Sequence, residues 1–572
     1  MPKMLQPISF VCWLLLFHAC QQYAPAPFEG YDTTKSLVAK EAMVVSPHAL
    51  SSDIGAAILQ KGGNAVDAAI AVQFAIAVCY PRAGNIGGGG FMLIRTKEGI
   101  IDALDYREKA PAAASRDMYL DSLGNVIPSL STEGHLAAGV PGTVAGLFAA
   151  HEKYGRLPMR ELIKPAIALA DRGYAVSETE ATRLNNFQEL FKKYNNQPNP
   201  FIKSEWKTGD RLVQPELART LRRIRDRGTA GFYEGPTADA IVAEMQSGNG
   251  IITHEDLRNY RPDWRQPVVG QYKHFRVISM PPASSGGVAL LQILGMVEPF
   301  PLSEMGFHSP KAIHLMVEAE RRAYADRAEH LGDTDFYDVP IDSLLDKNYL
   351  KSRMSDFSPT RATVSNAILA GNFSLVKETF ETTHTSIIDA EGNAVAVTTT
   401  LNSNFGCKVW VDGAGFFLNN EMDDFSVKPG VPNQFGLVGA EANAIHPGKR
   451  MLSSMTPTII ERDGKVFLVL GAPGGSTIIT AVFQVFMNVS EFNLNLEAAV
   501  NAGRFHHQWL PDEIQVEKGA FNDSTRQALE AKGHRLREVN YMAVVKAIQR
   551  LPNGQLHGVG DPRNPDDTAR GY

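Results

Sequence analysis

An α+β fold is the class this sequence predicts, on three observations. The body of the chain opens on alanine-rich apolar runs of helical spacing, "HALSSDIGAAILQ" and "NAVDAAIAVQFAIAVC". Residues 143–350 keep a mainly helical pattern punctuated by Pro and Gly. From Thr383 onward the pattern turns to short runs of the strand period. With 44% hydrophobic residues in 572, the chain can bury a large core, and it is too long for one simple core. Net charge is −6, and no long run of one sign supplies the basic face that nucleic-acid binding requires.

Residues 1–19 read as a secretory leader. One lysine precedes an apolar run from Ile8 to Phe17, about half the roughly 20 residues of a spanning helix. Ala19-Cys20 then looks like a loose lipoprotein site, with Cys20 as first mature residue and candidate lipid anchor. The expectation is an exported protein, periplasmic or held to a membrane by that lipid. Outside the leader only Cys79 and Cys407 remain, so no disulfide framework is expected. No CxxC or HExxH occurs, and neither a metal nor a cofactor is expected.

The two opening helices are split by Gly62-Gly63, and the second, apolar nearly all round, must be buried. "GNIGGGGFMLIRT" leads into a strand without the GK[ST] of a phosphate loop, so its glycines are read as close backbone packing. "MVEAERRAYADRAEHLGD" is an amphipathic helix whose Arg and Glu residues are read as a solvated face with i,i+4 pairs. After a polar connector at 351–381, strands are expected at 383–388, 394–400, 415–418, 456–461 and 465–470. Helices follow around 476–490 and 495–503. The run from Asp424 to Arg450 has little periodicity, is long for a connection, and is read as a lid.

The strands "TTHTSIID" and "NAVAVTTT" are joined by Ala390-Glu391-Gly392, with the glycine where a left-handed residue closes the hairpin. Centring the pairing on Glu391 sets Thr382 opposite Thr400, with Cβ atoms about 5 Å apart. A threonine hydroxyl is a weak nucleophile and needs a base within reach, yet no His or Lys is evidently placed. Its own α-amine, titrating near pH 8, can serve once the Glu381–Thr382 bond is cut. Taken alone, the hairpin reads equally as strand threonines paired across a sheet.

With "LNNEMDDFS" and "GAPGGS" behind it, this hairpin resembles that of the γ-glutamyltransferases, members of the N-terminal nucleophile hydrolases. The resemblance runs from about Ala39 to Tyr572 and includes "GGNAVDAA", "LDYREKAP", "AGVPGTVAGL", "PPASSGGV", "LSSMTPTI", "RFHHQWLPDE" and "DPRNPDDTARGY". It implies a four-layer αββα sandwich and self-cleavage before Thr382. A large subunit, 20–381, and a small catalytic subunit, 382–572, then remain together as a heterodimer. It further implies a γ-glutamyl ester on Thr382. The group would come from glutathione or a γ-glutamyl peptide and pass to water or to an acceptor amino acid or dipeptide.

Such a donor carries an α-carboxylate, an α-ammonium and a reacting amide. Arg107 in "LDYREKAP" matches the family's carboxylate-binding position, and Ser453 and Ser454 can donate two hydroxyls. Without the motif, Arg107 reads as a salt bridge to Asp105 or Glu108. Glu421 and Asp424 lie three residues apart, within mutual reach if the segment turns, and with Asn402 they suit the ammonium. Gly474 and Gly475 leave backbone N–H groups open for an oxyanion hole. They also fit an ordinary turn, with Ser476 or Thr477 capping the next helix. Two positions depart from many bacterial members, which carry Gln at Glu421 and often Tyr at the lid position Phe435. Two other readings stand beside this one. One is an acylase of the same superfamily whose acyl group lacks the ammonium; the other is a silent peptide-binding lipoprotein that stays one chain.

Overall fold

The computed structural model of the chain describes residues 28–368 and 382–572, so the leader, Cys20 and Glu381 lie outside the described residues. Two seven-stranded sheets form the centre. In spatial order the first runs Thr568–Gly571, Met43–Ser46, Thr382–Ile388, Ala394–Thr400, Gly89–Arg95, Ile101–Asp105 and Asp263–Arg265. The second runs Ser36–Ala39, Leu556–Gly560, Lys546–Arg550, Lys465–Gly471, Thr458–Arg462, Phe275–Ser279 and Val268–Tyr272. Every neighbouring pair is antiparallel. Strands from both sides of residue 381 are interleaved in each sheet.

The strand period decides the layers. Along the first sheet Met43, Val45, Leu93, Ile388 and Ala396 face one core, shared with the second sheet and the helices Gly286–Val297, Pro310–His330 and Thr477–Ser490. The alternate residues Val44, Met92, Ile94, Ile387 and Val397 face a second core, closed by Ala49–Gln60 and Ala65–Cys79. A sheet apolar on both faces must be covered on both. The result is helix, sheet, sheet, helix: the expected αββα sandwich. The helix Ala65–Cys79 is buried along its whole length, as its uniform apolarity requires, and Asn64 with Asp67 forms a capping box at its start.

The threonine hairpin has the register that its sequence predicts. Thr382 pairs with Thr400, and the pairing runs to Ile388 with Ala394. Gly392 has φ of 92°, and Asp389 Oδ1 accepts from the backbone N–H groups of Glu391 and Asn393 to fix the turn. The glycine run before Gly89–Arg95 lets backbones meet at the open end of the hairpin. A Cβ on Gly88 would lie 2.1 Å from the carbonyl oxygen of Thr400, and one on Gly87 2.1 Å from that of Phe417.

Three expectations are corrected. The helix Pro310–His330 has no solvated Arg/Glu face: Glu318, Glu320, Arg321, Arg322, Asp326 and Arg327 are all buried. The i,i+3 and i,i+4 pairs of Glu318 with Arg321 and Arg322 exist, but inside the protein. The 415–418 run makes only a single bridge, Trp410 to Phe417, because Gly413 and Gly415, at φ of 72° and 86°, curl it into a turn. Residues 263–279, inside the stretch read as mainly helical, form three strands.

Candidate active site

Thr382 begins its strand and Thr400 ends the next, so both hydroxyls stand at one end of the sheet. Thr382, 6% exposed, lines a cavity of about 20 Å³ together with Thr400, Arg107, Arg327, Asn402, Asp424, Ser453, Ser454, Phe435 and Gly475. The sequence thus named most of the lining before it was seen. The nearest histidine along the strand, His384, has both ring nitrogens engaged, by Thr398 Oγ1 at 2.8 Å and Ser386 Oγ at 3.0 Å. Burial also holds its pKa well below the ordinary value. It is a structural imidazole, which leaves the base for Thr382 to come from elsewhere.

Glu421–Asp424 is a single 3-10 turn, in which residues three apart eclipse, so Glu421 and Asp424 share a face. Between them lies Arg107. Its Nη1 is 2.5 Å from Glu421 Oε2 and its Nη2 2.5 Å from Asp424 Oδ2. Asp105 holds the backbone N–H of Arg107 at 3.0 Å, and Glu108 stands 3.8 Å from the guanidinium. The expected carboxylate binder is thus paired with the expected ammonium binders.

Three carboxyls around one guanidinium cannot all be charged cheaply. Burial pushes Glu421 up to about 8, against the pull of Arg107 and with a further push from Asp424. Burial, then Glu421, raises Glu108 well above the carboxylate range. Burial raises Asp424 as well, while Arg107 opposes it. The Thr400 hydroxyl favours the charged form of Glu421 and accepts from Asn402 N–H at 2.6 Å. Asn402 reaches this position in left-handed backbone, φ 73°, and its side chain favours ionised Asp424.

Gly474 and Gly475 have φ of 142° and 52° and sit at the start of the helix Thr477–Ser490. Gly475 lines the Thr382 cavity and Gly474 an adjoining one that Thr382 also touches. Ser476 occupies the N-cap position without a side-chain bond there; Thr477 Oγ1 instead donates to the Gly474 carbonyl at 2.7 Å. A Cβ on Gly475 would lie 2.7 Å from the Phe435 ring, so this glycine serves both the turn and the close approach of that ring.

The segment around Phe435, the expected lid, is tied through its backbone. Asn433 Oδ1 accepts from the N–H groups of Phe435 and Leu437, and its Nδ2 donates to Asp424 Oδ1 at 3.3 Å. Gln434 N–H donates to Asp423 at 3.1 Å. Gln508 Nε2 donates to the carbonyls of Phe435 and Gly436 at 3.3 and 3.1 Å. Side-chain amides of Asn433 and Gln508 thus hold this segment in place.

The sequence reading missed Arg327, Asn433 and Gln508. The charge pattern around Arg327 is that of a surface helix, and only the cavity reveals it. Among the described residues one cluster, His314, Glu318 and His534, brings metal-type ligand atoms within 4.8 Å of one another. It lies outside the Thr382 cavity, and Glu318 is already paired with Arg321 and Arg322 while the two imidazoles bond each other at 2.7 Å. Cys79 and Cys407 are free and buried.

The αββα layers, with a threonine opening a central strand beside a polar cavity, define an N-terminal nucleophile hydrolase. Comparison places it more finely: the chain belongs to the gamma-glutamyltranspeptidase family, whose pattern it matches over residues 51–571. The glutathione hydrolase proenzyme of Escherichia coli strain K12 is 48% identical over 555 residues, 96% of this chain and 95% of that one. Among solved structures, the cephalosporin acylase from Bacillus halodurans superposes with a TM-score of 0.81 at 27% identity, covering 96% of this chain and 99% of that one. The gamma-glutamyltranspeptidase of Helicobacter pylori gives 0.56 at 46% identity, covering 60% of this chain and 97% of that one.

Proposed function

We propose that the chain cuts itself before Thr382 and then acts as a γ-glutamyltransferase and glutathione hydrolase, with Thr382 carrying the γ-glutamyl group. The observation that carries this reading is the cavity itself. It holds a nucleophile candidate at one end and, at the other, cationic and anionic groups matched to an amino acid's α-carboxylate and α-ammonium. A family relative named as a glutathione hydrolase proenzyme at 48% identity supports both the processing and the donor.

In the first step Thr382 Oγ attacks the carbonyl carbon of Glu381, the new ester is hydrolysed, and the threonine amine is freed. In turnover that amine takes the hydroxyl proton as Oγ bonds to the γ-carbonyl of the donor. The resulting oxyanion faces the Gly474 and Gly475 N–H groups, each such donor being worth about 3 kcal/mol. The helix dipole of Thr477–Ser490 adds to them. Collapse expels the amine, which leaves with the proton from Thr382. Water or an acceptor amine then attacks the ester, and the threonine is restored.

At the recognition end the donor trades places with an existing ion pair. Its carboxylate takes Arg107, with Ser453 and Ser454, and its ammonium takes Asp424, Glu421 and Asn402. The empty cavity of about 20 Å³ holds little more than a water, so the donor must displace the lid around Phe435. A dicarboxylic acyl group without an ammonium would leave Asp424 and Glu421 unpaired, which disfavours the acylase reading.

N-terminal sequencing of the small fragment tests the cut; any start other than Thr382 rejects it. Mass spectrometry of that fragment during turnover of γ-glutamyl-p-nitroanilide should find one γ-glutamyl group on Thr382. The two fragments, 20–381 and 382–572, should stay together as a heterodimer because their strands share both sheets. Export by the leader, with a lipid on Cys20, completes the proposal, and the mass of the N-terminal peptide checks it.

A further inference from the structure

Arg327 is the charged group of the cavity lining that this mechanism does not use. It stands in the last turn of the helix Pro310–His330, wholly buried, and lines the cavity with Thr382 and Arg107. Its Nε donates to Ser285 Oγ at 2.9 Å and its Nη2 to Ser454 Oγ at 3.2 Å. Among the described residues it forms no ion pair, and Asp424 is the one carboxylate whose field reaches it appreciably. A buried guanidinium held only by hydroxyls is costly unless a counter-charge arrives.

The surroundings show where that charge belongs. Ser284 and Ser285, the unassigned serines of "PPASSGGV", clamp the backbone of Ser453–Met455. Ser285 donates to the Ser453 carbonyl from both N–H and Oγ, at 2.8 and 2.7 Å, and Ser284 Oγ donates to the Met455 carbonyl at 2.6 Å. Ser453 Oγ accepts from Met455 N–H at 3.1 Å. Each of the hydroxyls of Ser453 and Ser454 thus has a donor on one lone pair, which leaves its own proton to be given elsewhere. Both serines line the cavity.

We propose that Arg327 is a positioning residue for the donor's α-carboxylate. It occupies a lone pair of Ser454 Oγ, turns that hydroxyl's proton toward the carboxylate, and supplies a second positive charge beside Arg107. The cavity then presents two guanidiniums and the Asp424 carboxylate, with Glu421 behind it, to a zwitterion. The inference rests on the function proposed above.

The test compares L-glutamate with 4-aminobutyrate, its analogue without the α-carboxylate, as inhibitors of γ-glutamyl-p-nitroanilide turnover. Arg327→Gln should raise the donor KM and the L-glutamate Ki by about tenfold or more, the usual weight of a charge-assisted bond, with kcat changed by less than about threefold. The Ki of 4-aminobutyrate should not move. Arg327→Lys, which keeps the charge, should recover part of the loss, and in a Ser454→Ala background Arg327→Gln should cost much less than it does alone.

Equal losses for both inhibitors, or a fall confined to kcat, overturn the proposal. So does full additivity with Ser454→Ala. If Arg327→Gln remains an uncleaved precursor, Arg327→Lys and Ser285→Ala carry the same comparison. Wild-type enzyme that does not prefer L-glutamate to 4-aminobutyrate refutes the carboxylate site itself. Wild type that does, with Arg327→Gln and Arg327→Lys keeping the preference intact, refutes only the role of Arg327.

Discussion

The Thr382 cavity is lined by two kinds of group, and the proposed function gives them opposite tasks, one at its reacting end and one at its recognition end. At the reacting end stand Thr382, Thr400, Gly475 and the Phe435 ring, without a charged side chain from this lining. At the recognition end Arg107, Arg327 and Asp424 crowd together with Glu421 behind them. Hydroxyls and backbone N–H groups suit a charge that appears only in the transition state, because they need little reorganisation when it forms. Fixed ions suit charges that the donor brings with it and keeps. The division predicts that the ends separate in kinetics, the first in kcat and the second in KM.

The largest expected effect breaks the reacting end outright. Thr382→Ala should remain one polypeptide near 60 kDa on a denaturing gel and lose at least about 10³-fold in turnover, as when a nucleophile is removed. Two bands from this variant would reject self-cleavage at Thr382. At the recognition end Asp424→Asn should leave the cut intact and lower kcat/KM for γ-glutamyl-p-nitroanilide by at least about a hundredfold, since breaking a buried charge pair costs about 3–5 kcal/mol. Unchanged turnover would remove Asp424 from ammonium binding. Gly475→Ala sharpens the contrast. Its Cβ would press on the Phe435 ring and strain a residue at φ 52°, so kcat should fall by about 10² with the donor KM nearly unchanged.

The reacting end was the more legible of the two. A hairpin's register follows from the strand period and one left-handed glycine, so Thr382 could be set opposite Thr400 from spacing alone. The turn that joins Glu421 to Asp424 was readable for the same reason, being local. What escaped was set by distant partners. The helix Pro310–His330 carries the charge pattern of a surface helix, yet Asp356, Arg353 and His507 come from far along the chain to pair with or cap its ions. Arg327 therefore looked like solvated charge. The strands Val268–Tyr272 and Phe275–Ser279 are five residues each with a two-residue turn, too short to show a period against helical neighbours. Gln508 latches the lid from 72 residues beyond Gly436, a relation no local pattern encodes.

The smallest effect asks whether the two ends are separable in pH as well. Glu421 is raised from 4.5 to about 8, chiefly by burial, so the empty site holds it protonated at neutral pH. A bound ammonium needs the carboxylate, so binding must expel that proton, and the cost shrinks as pH rises. The donor KM should therefore fall between pH 6 and 8, by at most about tenfold per unit. The same shift acts on stability. A raised acid contributes fully below its unfolded pKa and loses that contribution as pH climbs through the folded one, so the empty enzyme should weaken from about pH 4.5 to 8. Glu421→Gln cannot titrate, and it should flatten both slopes while leaving the pH dependence of kcat, which belongs to the Thr382 amine. A KM slope that survives in Glu421→Gln would assign the titration to another member of the cluster, Glu108 or Asp424, and the line between recognition and chemistry would have to be redrawn around it.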